Sequence, residues 1–375
     1  MLPYGRQSID DSDVDSVVRA LRSDWLTTGP EVDRFEAAVA ERAGVGHAVT
    51  ATSGTAALHV AYAAAGIEPG DEVVTTPLTF VATAATAALL GARIVFADVD
   101  PATGNLDPKA AEAAVTDRTR VVAGVDYAGV PVDASAFRDL AQRHGLLFLE
   151  DAAHSIGSTL DGAPVGSLAD LTTYSFFPTK NLTTTEGGAV VTADDDLAAR
   201  ARAFKNHGLV RDRAQQRFPD EGPWHQEVHT FGLNYRLPDV LAALGTSQLA
   251  RLDDFVARRA QIKAAYDAAL SDLDGVDIPV APAGAAPAWH LYPLRVPAQR
   301  RREIFESLRA QGIGVQVNYI PAYWHPVFED LGYQRGMCPV AEDYYRREIS
   351  LPMFPGLTDA DVERVIDAVR KAVAG

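Results

Sequence analysis

At 375 residues the chain is long enough for two domains, and 47% hydrophobic residues make it globular rather than disordered. Its net charge of −16 disfavours nucleic acid and anionic membranes as partners, so an anionic substrate must be received by local donors. A single cysteine, Cys338, excludes an intramolecular disulfide; with the acidic start MLPYGRQSIDDSDVDS and no run of about 18 apolar residues, it points to a cytoplasmic chain that crosses no membrane. In that setting the sequon Asn181-Leu182-Thr183 is coincidence.

In chain order, the pattern predicts a short helix capped by Ser12 and running through Leu21, then a loop, SDWLTTGPEV, then a helix from Val32 to Ala43. An alternation follows. Strands are expected at His47–Thr52, Glu72–Thr76, Arg93–Ala97, Arg120–Val125 and Leu146–Glu150. Helices at Thr55–Ala65, Phe80–Leu90, Pro108–Val115 and Ala134–His144 separate them. Two further β-rich runs, Thr172–Phe176 and Gly188–Thr192, bring the expected strands to seven. Such alternation implies a largely parallel sheet with helices on both faces and ligands bound beyond the carboxyl ends of its strands. Asp194–Asn206 reads as a helix leaving the sheet, and His207–Asn234 as a long irregular loop. Leu237–Leu273 reads as one long linking helix. A smaller α+β unit follows the Pro/Gly/Ala-rich stretch 279–287, with strands at His290–Val296 and Val315–Tyr319 and helices at Arg301–Gln311 and Asp359–Ala374. The division expected is a large unit over 1–248 and a linking helix with a small C-terminal domain over 249–375.

The segment DLTTYSFFPTKNLTTTEGGAVVT, 170–192, places Lys180 on a turn-rich connection between two strands. Such a lysine is commonly just a solvated loop residue. It can also form a Schiff base with an aldehyde cofactor, which requires a neutral amine obtained by burial or neighbouring positive charge. Ser53-Gly54-Thr55-Ala56, between the first strand and its helix, either caps that helix in the ordinary way or lets backbone N–H groups approach a phosphate. Asp151, after the fifth strand, either caps a helix or keeps a pyridine nitrogen protonated. Phe80 in TTPLTFVATA is either core or a surface for a flat ring. Gly44-Val45-Gly46 precedes its strand, where a dinucleotide loop must follow one. His225 and His229 have i, i+4 spacing without the helical pattern or Glu position of a zinc motif. Phosphate loop, aromatic, carboxylate and lysine therefore fall in order along one sheet edge, which is the layout of a site for pyridoxal 5′-phosphate (PLP).

On LTTGPEVDRFE, TSGTAAL, TTPLTFVATA, EDAAHSIGS, FFPTKNLTTTEGGAVVT, FGLNYRL and VQVNYIPAY, the chain resembles the DegT/DnrJ/EryC1/StrS sugar aminotransferases over nearly its whole length. The resemblance implies an α/β fold-type-I PLP-dependent transferase like aspartate aminotransferase, with a mostly parallel seven-stranded sheet and a smaller C-terminal α+β domain. It implies that Lys180 binds the cofactor covalently, Asp151 pairs with the pyridine nitrogen, Phe80 stacks on the ring and His154 lies near the 3′-hydroxyl. Ser53, Gly54, Thr55 and Ser175 are implied phosphate ligands, joined by Asn234 from the neighbouring subunit of a homodimer with shared sites. Tyr4, the stretch Asp24, Trp25, Leu26 and Thr27, and the stretch Val317, Asn318, Tyr319 and Ile320 resemble nucleotide-sugar contacts. One departure is visible: where many relatives carry His shortly before the lysine, this chain has Phe177. Within the family, VDYAG, HLYP, TTTEGGAVVT and AEDYYRREISLP are most similar to UDP-4-amino-4,6-dideoxy-N-acetyl-β-L-altrosamine transaminases of pseudaminic acid synthesis. The implied reaction is transamination of a nucleotide-linked 4-keto-6-deoxy sugar by L-glutamate. Alternatives are an aminotransferase for a dTDP-3-keto sugar, another 4-keto deoxysugar or an aminocyclitol and, in a different class, a regulatory protein that binds PLP without turnover.

Overall fold

Seven short strands, apolar on both faces, form the central sheet of the computed structural model, which describes residues 1–374. They are β1 (His47–Ala51), β2 (Glu72–Thr75), β3 (Arg93–Phe96), β4 (Thr119–Val125), β5 (Leu147–Asp151), β6 (Leu171–Ser175) and β7 (Gly188–Thr192). The spatial order is β1-β7-β6-β5-β4-β2-β3. Only β7 runs against the others, pairing antiparallel with both β1 and β6. The remaining contacts are parallel. Every residue of β2, β6 and β7 is buried, as a sheet covered on both faces requires.

Alternate strand residues feed two cores. Val73, Val121, Leu149 and Val190 pack on one face against α3 (Gly54–Ala64), α4 (Ala82–Leu89) and α7 (Asp195–Phe204). Val74, Val122, Phe148 and Val191 pack on the other, against α2 (Pro30–Ala43), α6 (Ala134–His144) and α8 (Asp239–Leu249). A third core joins Ile262 and Tyr266 of α9 (Leu252–Leu270), Leu308 of α10 (Arg301–Ala310) and Val365 of α13 (Asp359–Ala374) to a two-stranded ladder. That ladder is β8 (Tyr292–Arg295) antiparallel to β9 (Glu348–Leu351). Leu2 packs into this third core, so the first residues of the chain lie beside the last elements.

Four local expectations are corrected. Asp10, not Ser12, caps α1 (Asp11–Leu21): its carboxylate accepts from the N–H groups of Ser12 and Asp13, and Asp13 returns a bond to the N–H of Asp10. The helix expected from Phe80 begins at Ala82, which leaves Phe80 in the preceding turn, 59% exposed. The single helix expected over Leu237–Leu273 is two, because Arg251 leaves helical geometry (ψ 4°) while its guanidinium pairs with Asp10 at 2.8 Å and with buried Asp13. The strand expected at Val315–Tyr319 shrinks to one bridge, Gln316 to Ser350. The next pair in that register is Asn318 opposite Glu348, and there the Glu348 side chain, rather than a backbone carbonyl, takes the Asn318 N–H at 2.8 Å. The strand that does form, β9, went unforeseen.

Within 207–234 the backbone makes a two-residue pairing, Leu209–Val210 with Glu227–Val228. His225 and His229 both face the Glu227 carboxylate, at 3.2 and 2.5 Å, which accounts for their spacing without a metal. No helix among the described residues is long and apolar enough to cross a membrane.

Candidate active site

The carboxyl ends of β1, β5 and β6 converge on a cavity of about 450 Å³, a size suited to a small-molecule cofactor. Ser53 caps α3 at its rim: the hydroxyl accepts from the Ala56 N–H at 3.0 Å, the ordinary capping role. The N–H groups of the first turn have no partner inside the helix and aim at this rim together with the positive end of the helix dipole. Gly54 is required by close approach, since a Cβ there would lie 2.7 Å from the Cβ and 2.8 Å from the Oγ of Ser175. Ser53, Gly54, Thr55 and Ser175 thus form one small-residue cradle on the cavity wall.

On the strand next to that of Ser175 lies Asp151, the last residue of β5, paired with Thr173 and 5% exposed. One carboxylate oxygen accepts from Thr83 Oγ1 at 2.6 Å and the other from the Ala153 N–H at 3.2 Å. Burial raises its pKa, while the Thr83 and Ala153 bonds and the charge of Lys180 act against that rise. Lys180 follows β6 in a turn closed by its N–H donating to the Phe177 carbonyl at 2.9 Å. Removal from water lowers the pKa of its amine to about 8, with Asp151 resisting. A substantial neutral fraction is therefore present near neutral pH, which a nucleophilic or basic lysine needs.

His154 is buried beside them and its Nε2 lies 3.1 Å from the Tyr319 hydroxyl. Burial and the nearby lysine hold it well below its ordinary pKa, hence neutral. Its ring centroid is 4.4 Å from that of His290, a cavity residue from the small unit that the sequence did not single out. Thr83 was missed too. It sits in the Ala-rich helix α4, where nothing local marks one threonine over the others.

Phe80 lines the cavity, its ring 6.2 Å from that of Tyr319 at 60° and largely exposed. Tyr4 and Asn318 complete this wall, joined by an Asn318 Nδ2 to Tyr4 Oη bond of 2.7 Å. Val317 and Ile320 line an adjoining hollow of about 270 Å³ that shares Thr79, Phe80 and Tyr319 with the first. Phe177, the residue at the atypical position, is a further cavity neighbour. Two expectations fall outside the cavity of their own chain. Asn234 is exposed and bridged to Asn206, and Asp24–Thr27 is exposed and held at Leu26 and Thr27 by Asp239 and Pro238.

Three buried polar atoms on this cavity lack partners: His154 Nδ1, His290 Nδ1 and Thr173 Oγ1. Unsatisfied polar atoms on the wall, a small-residue cradle at a helix N-terminus, a buried carboxylate with no ion pair among the described residues and a lysine with a lowered pKa fit a phosphorylated aldehyde with a basic ring nitrogen. PLP has those features.

Comparison with known proteins agrees. The sequence model of the DegT/DnrJ/EryC1/StrS aminotransferase family matches residues 7–370. The spore coat polysaccharide biosynthesis protein SpsC of Bacillus subtilis is 42% identical over 100% of this chain and 97% of its own. The structure of PseC from Helicobacter pylori, an aminotransferase involved in the biosynthesis of pseudoaminic acid, superposes with a TM-score of 0.92 at 32% identity, covering 100% of this chain and 99% of PseC. The putative sugar aminotransferase Spr1654 of Streptococcus pneumoniae, solved in PMP and PLP forms, gives TM-scores of 0.94 and 0.93 at 27% and 26% identity, covering 100% of this chain and 99% and 98% of its own. The chain belongs to the DegT/DnrJ/EryC1/StrS family and is a PLP-dependent aminotransferase of fold type I.

Proposed function

We propose that this family member transfers an amino group from L-glutamate to a nucleotide-linked 4-keto-6-deoxy sugar, with UDP-2-acetamido-2,6-dideoxy-β-L-arabino-hexos-4-ulose as acceptor. The observation that carries the reading is the second hollow. The space beside Lys180 adjoins it past Phe80 and Tyr319, giving room for a substrate much longer than an amino acid. The narrower acceptor is supported by the altrosamine-transaminase-like segments and by the likeness to PseC.

When bound, PLP supplies an electron sink for cleavage of the Cα–H bond and a store for the amino group. In this reading the Ser53–Thr55 turn and Ser175 hold the phosphate, helped by the partner subunit's Asn234. Asp151 keeps a proton on the ring nitrogen, its position set by Thr83. Lys180 would anchor the cofactor, and its neutral amine would take the proton from the amino acid Cα and later return one to the sugar carbon. His154 and Phe80, which line the cavity, would hold the cofactor ring, His154 toward the 3′-hydroxyl and Phe80 by stacking. Tyr4 and the 317–320 segment receive the nucleotide sugar.

Asn234 and Asp24–Thr27 lie outside their own cavity, and Trp25, Phe231 and Leu233, within or next to them in sequence, are 54%, 96% and 41% exposed. These exposed apolar side chains support a homodimer in which each chain completes the other's site. Residues 1–248 form the cofactor-holding unit in this scheme and 249–375 the smaller one. A cytoplasmic location goes with this reading and is supported by the single cysteine, Cys338.

Purified enzyme incubated with L-glutamate and a panel of keto-sugar nucleotides, read by mass, tests the substrate. The UDP-linked L-arabino ketone should be aminated fastest. Faster amination of its D-xylo epimer or of a dTDP-linked 3-keto sugar refutes the acceptor, and turnover of none refutes the sugar reading altogether.

A further inference from the structure

Glu348 is a fully buried carboxyl group, 0% exposed, with no ion pair among the described residues and no part in the chemistry above. Burial pushes its pKa up to about 8, against the bonds from Ser350 and Asn318 and the charge of Arg301. Near neutral pH it is therefore largely the uncharged acid. One oxygen accepts the Asn318 N–H at 2.8 Å and the other bonds the Ser350 hydroxyl.

Asn318 is the hub of this cluster. Its carbonyl accepts from the Tyr127 hydroxyl, and its side-chain amide donates to Ser350 Oγ at 3.0 Å and to Tyr4 Oη at 2.7 Å. Because Tyr4 accepts that bond, its own proton stays free to be donated. Burial raises its pKa well above the ordinary value, so the phenol remains a donor. Tyr4 and Asn318 both line the cavity. The chain of contacts thus runs from Glu348, which lies outside the cavity lining, through Asn318 to a hydroxyl on the substrate wall.

We infer that Glu348 is a positioning residue for acceptor recognition: by replacing a backbone carbonyl in the ladder, it lifts Asn318 out of the strand and turns its amide toward Tyr4, so that the N-terminal segment and the 317–320 segment present one polar edge to the sugar nucleotide. The inference rests on the keto-sugar reading of this site. It separates the two half-reactions. The amino acid half depends on Lys180, Asp151 and the phosphate cradle, none of which bonds to Glu348, whereas the sugar half depends on the wall that Glu348 shapes.

The test compares Glu348→Ala with Glu348→Gln, whose amide oxygen can still accept the Asn318 N–H. In Glu348→Ala, hydrogen exchange should accelerate about tenfold in peptides covering 1–8 and 315–321 and stay unchanged in 171–176, because the Asn318 N–H loses its acceptor. The KM for the keto-sugar nucleotide should rise about tenfold, the cost of about one lost hydrogen bond, with the glutamate half-reaction unchanged. Glu348→Gln should restore both. Should the alanine variant not fold, Ser350→Ala, which removes the hydroxyl that bonds both the Glu348 carboxyl and the Asn318 side-chain amide, is read by the same two measurements. Exchange that rises everywhere, or equal slowing of both half-reactions, would reduce Glu348 to a structural residue and overturn the inference, as would no change at all. If the wild-type enzyme aminates no keto sugar, the proposed function fails and the exchange measurement alone decides the positioning role.

Discussion

Replacing Gly54 with alanine puts the phosphate cradle under a measurable load. The new Cβ would sit 2.7 Å from Ser175 Cβ, whereas ordinary contacts begin near 3.4 Å, so something must yield by the difference, 0.7 Å. Neither wall yields easily. Ser175 ends a strand buried along its length. On the other side the Ser53 carbonyl is backed by Gly188 of β7, where even a Cβ would approach it to 2.5 Å. Overpacking of this kind costs about 1–3 kcal/mol. If relieved by shifting the start of α3, that cost appears as a PLP dissociation constant raised about 5- to 150-fold. If it is retained as strain, it appears as a lower melting temperature of the apo protein. Absorbance titration of apo protein with PLP, paired with thermal unfolding, measures both. Gly46→Ala is the control, since nothing lies within 4 Å of a Cβ there and its backbone is unstrained. If Gly54→Ala behaves like this control in both measurements, the cradle geometry is refuted.

Four further outcomes are expected. The protein should be yellow with borohydride fixing the cofactor on Lys180, and Lys180→Ala should lack turnover; normal activity in that variant would end the assignment. With a pKa of about 8, about a tenth of the Lys180 amine is neutral at pH 7, so PLP capture by apo protein should quicken as pH rises toward 8, and Asp151→Asn should move the midpoint lower by removing the charge that resists. Mixing inactive Lys180→Ala and Asn234→Ala chains should regenerate activity through one intact site per heterodimer; proven heterodimers without activity refute site sharing. Glu36, buried among Lys205 at 2.7 Å, Arg202 at 2.6 Å and Thr50, has its pKa raised by burial but lowered on balance by the two cations. Glu36→Gln should destabilise the fold by about 3 kcal/mol by stranding Lys205, a gap present above pH 4.5 and closing as pH falls through the lowered carboxylate pKa; denaturant titration at two pH values measures it.

Local chemistry was enough for much of this protein. α6 runs from Ala134 to His144 as its pattern requires, with Asp133 capping one end and Gly145 in the left-handed region at the other. β7 begins and ends where its apolar run does. The site lysine, carboxylate and small-residue turn were legible for a topological reason: in a parallel sheet the carboxyl ends of successive strands share an edge, so chain order alone brings Ser53, Asp151 and Lys180 together. What stayed hidden depended on partners far away in the chain. Nothing near Thr83 announces that its hydroxyl will meet Asp151, 68 positions on. His290 reaches the cavity only because the small unit docks there, and the 237–273 helix breaks at Arg251 while that side chain holds two aspartates near residue 10. β-rich composition at 315–319 predicted a strand, yet strand pairing is decided by the neighbour, and the neighbour's Glu348 offered a side chain where a ladder needed a carbonyl. Periodicity and capping are written in a few adjacent residues; hydrogen-bond partners across 30 or 300 positions exist only once the chain has closed on itself.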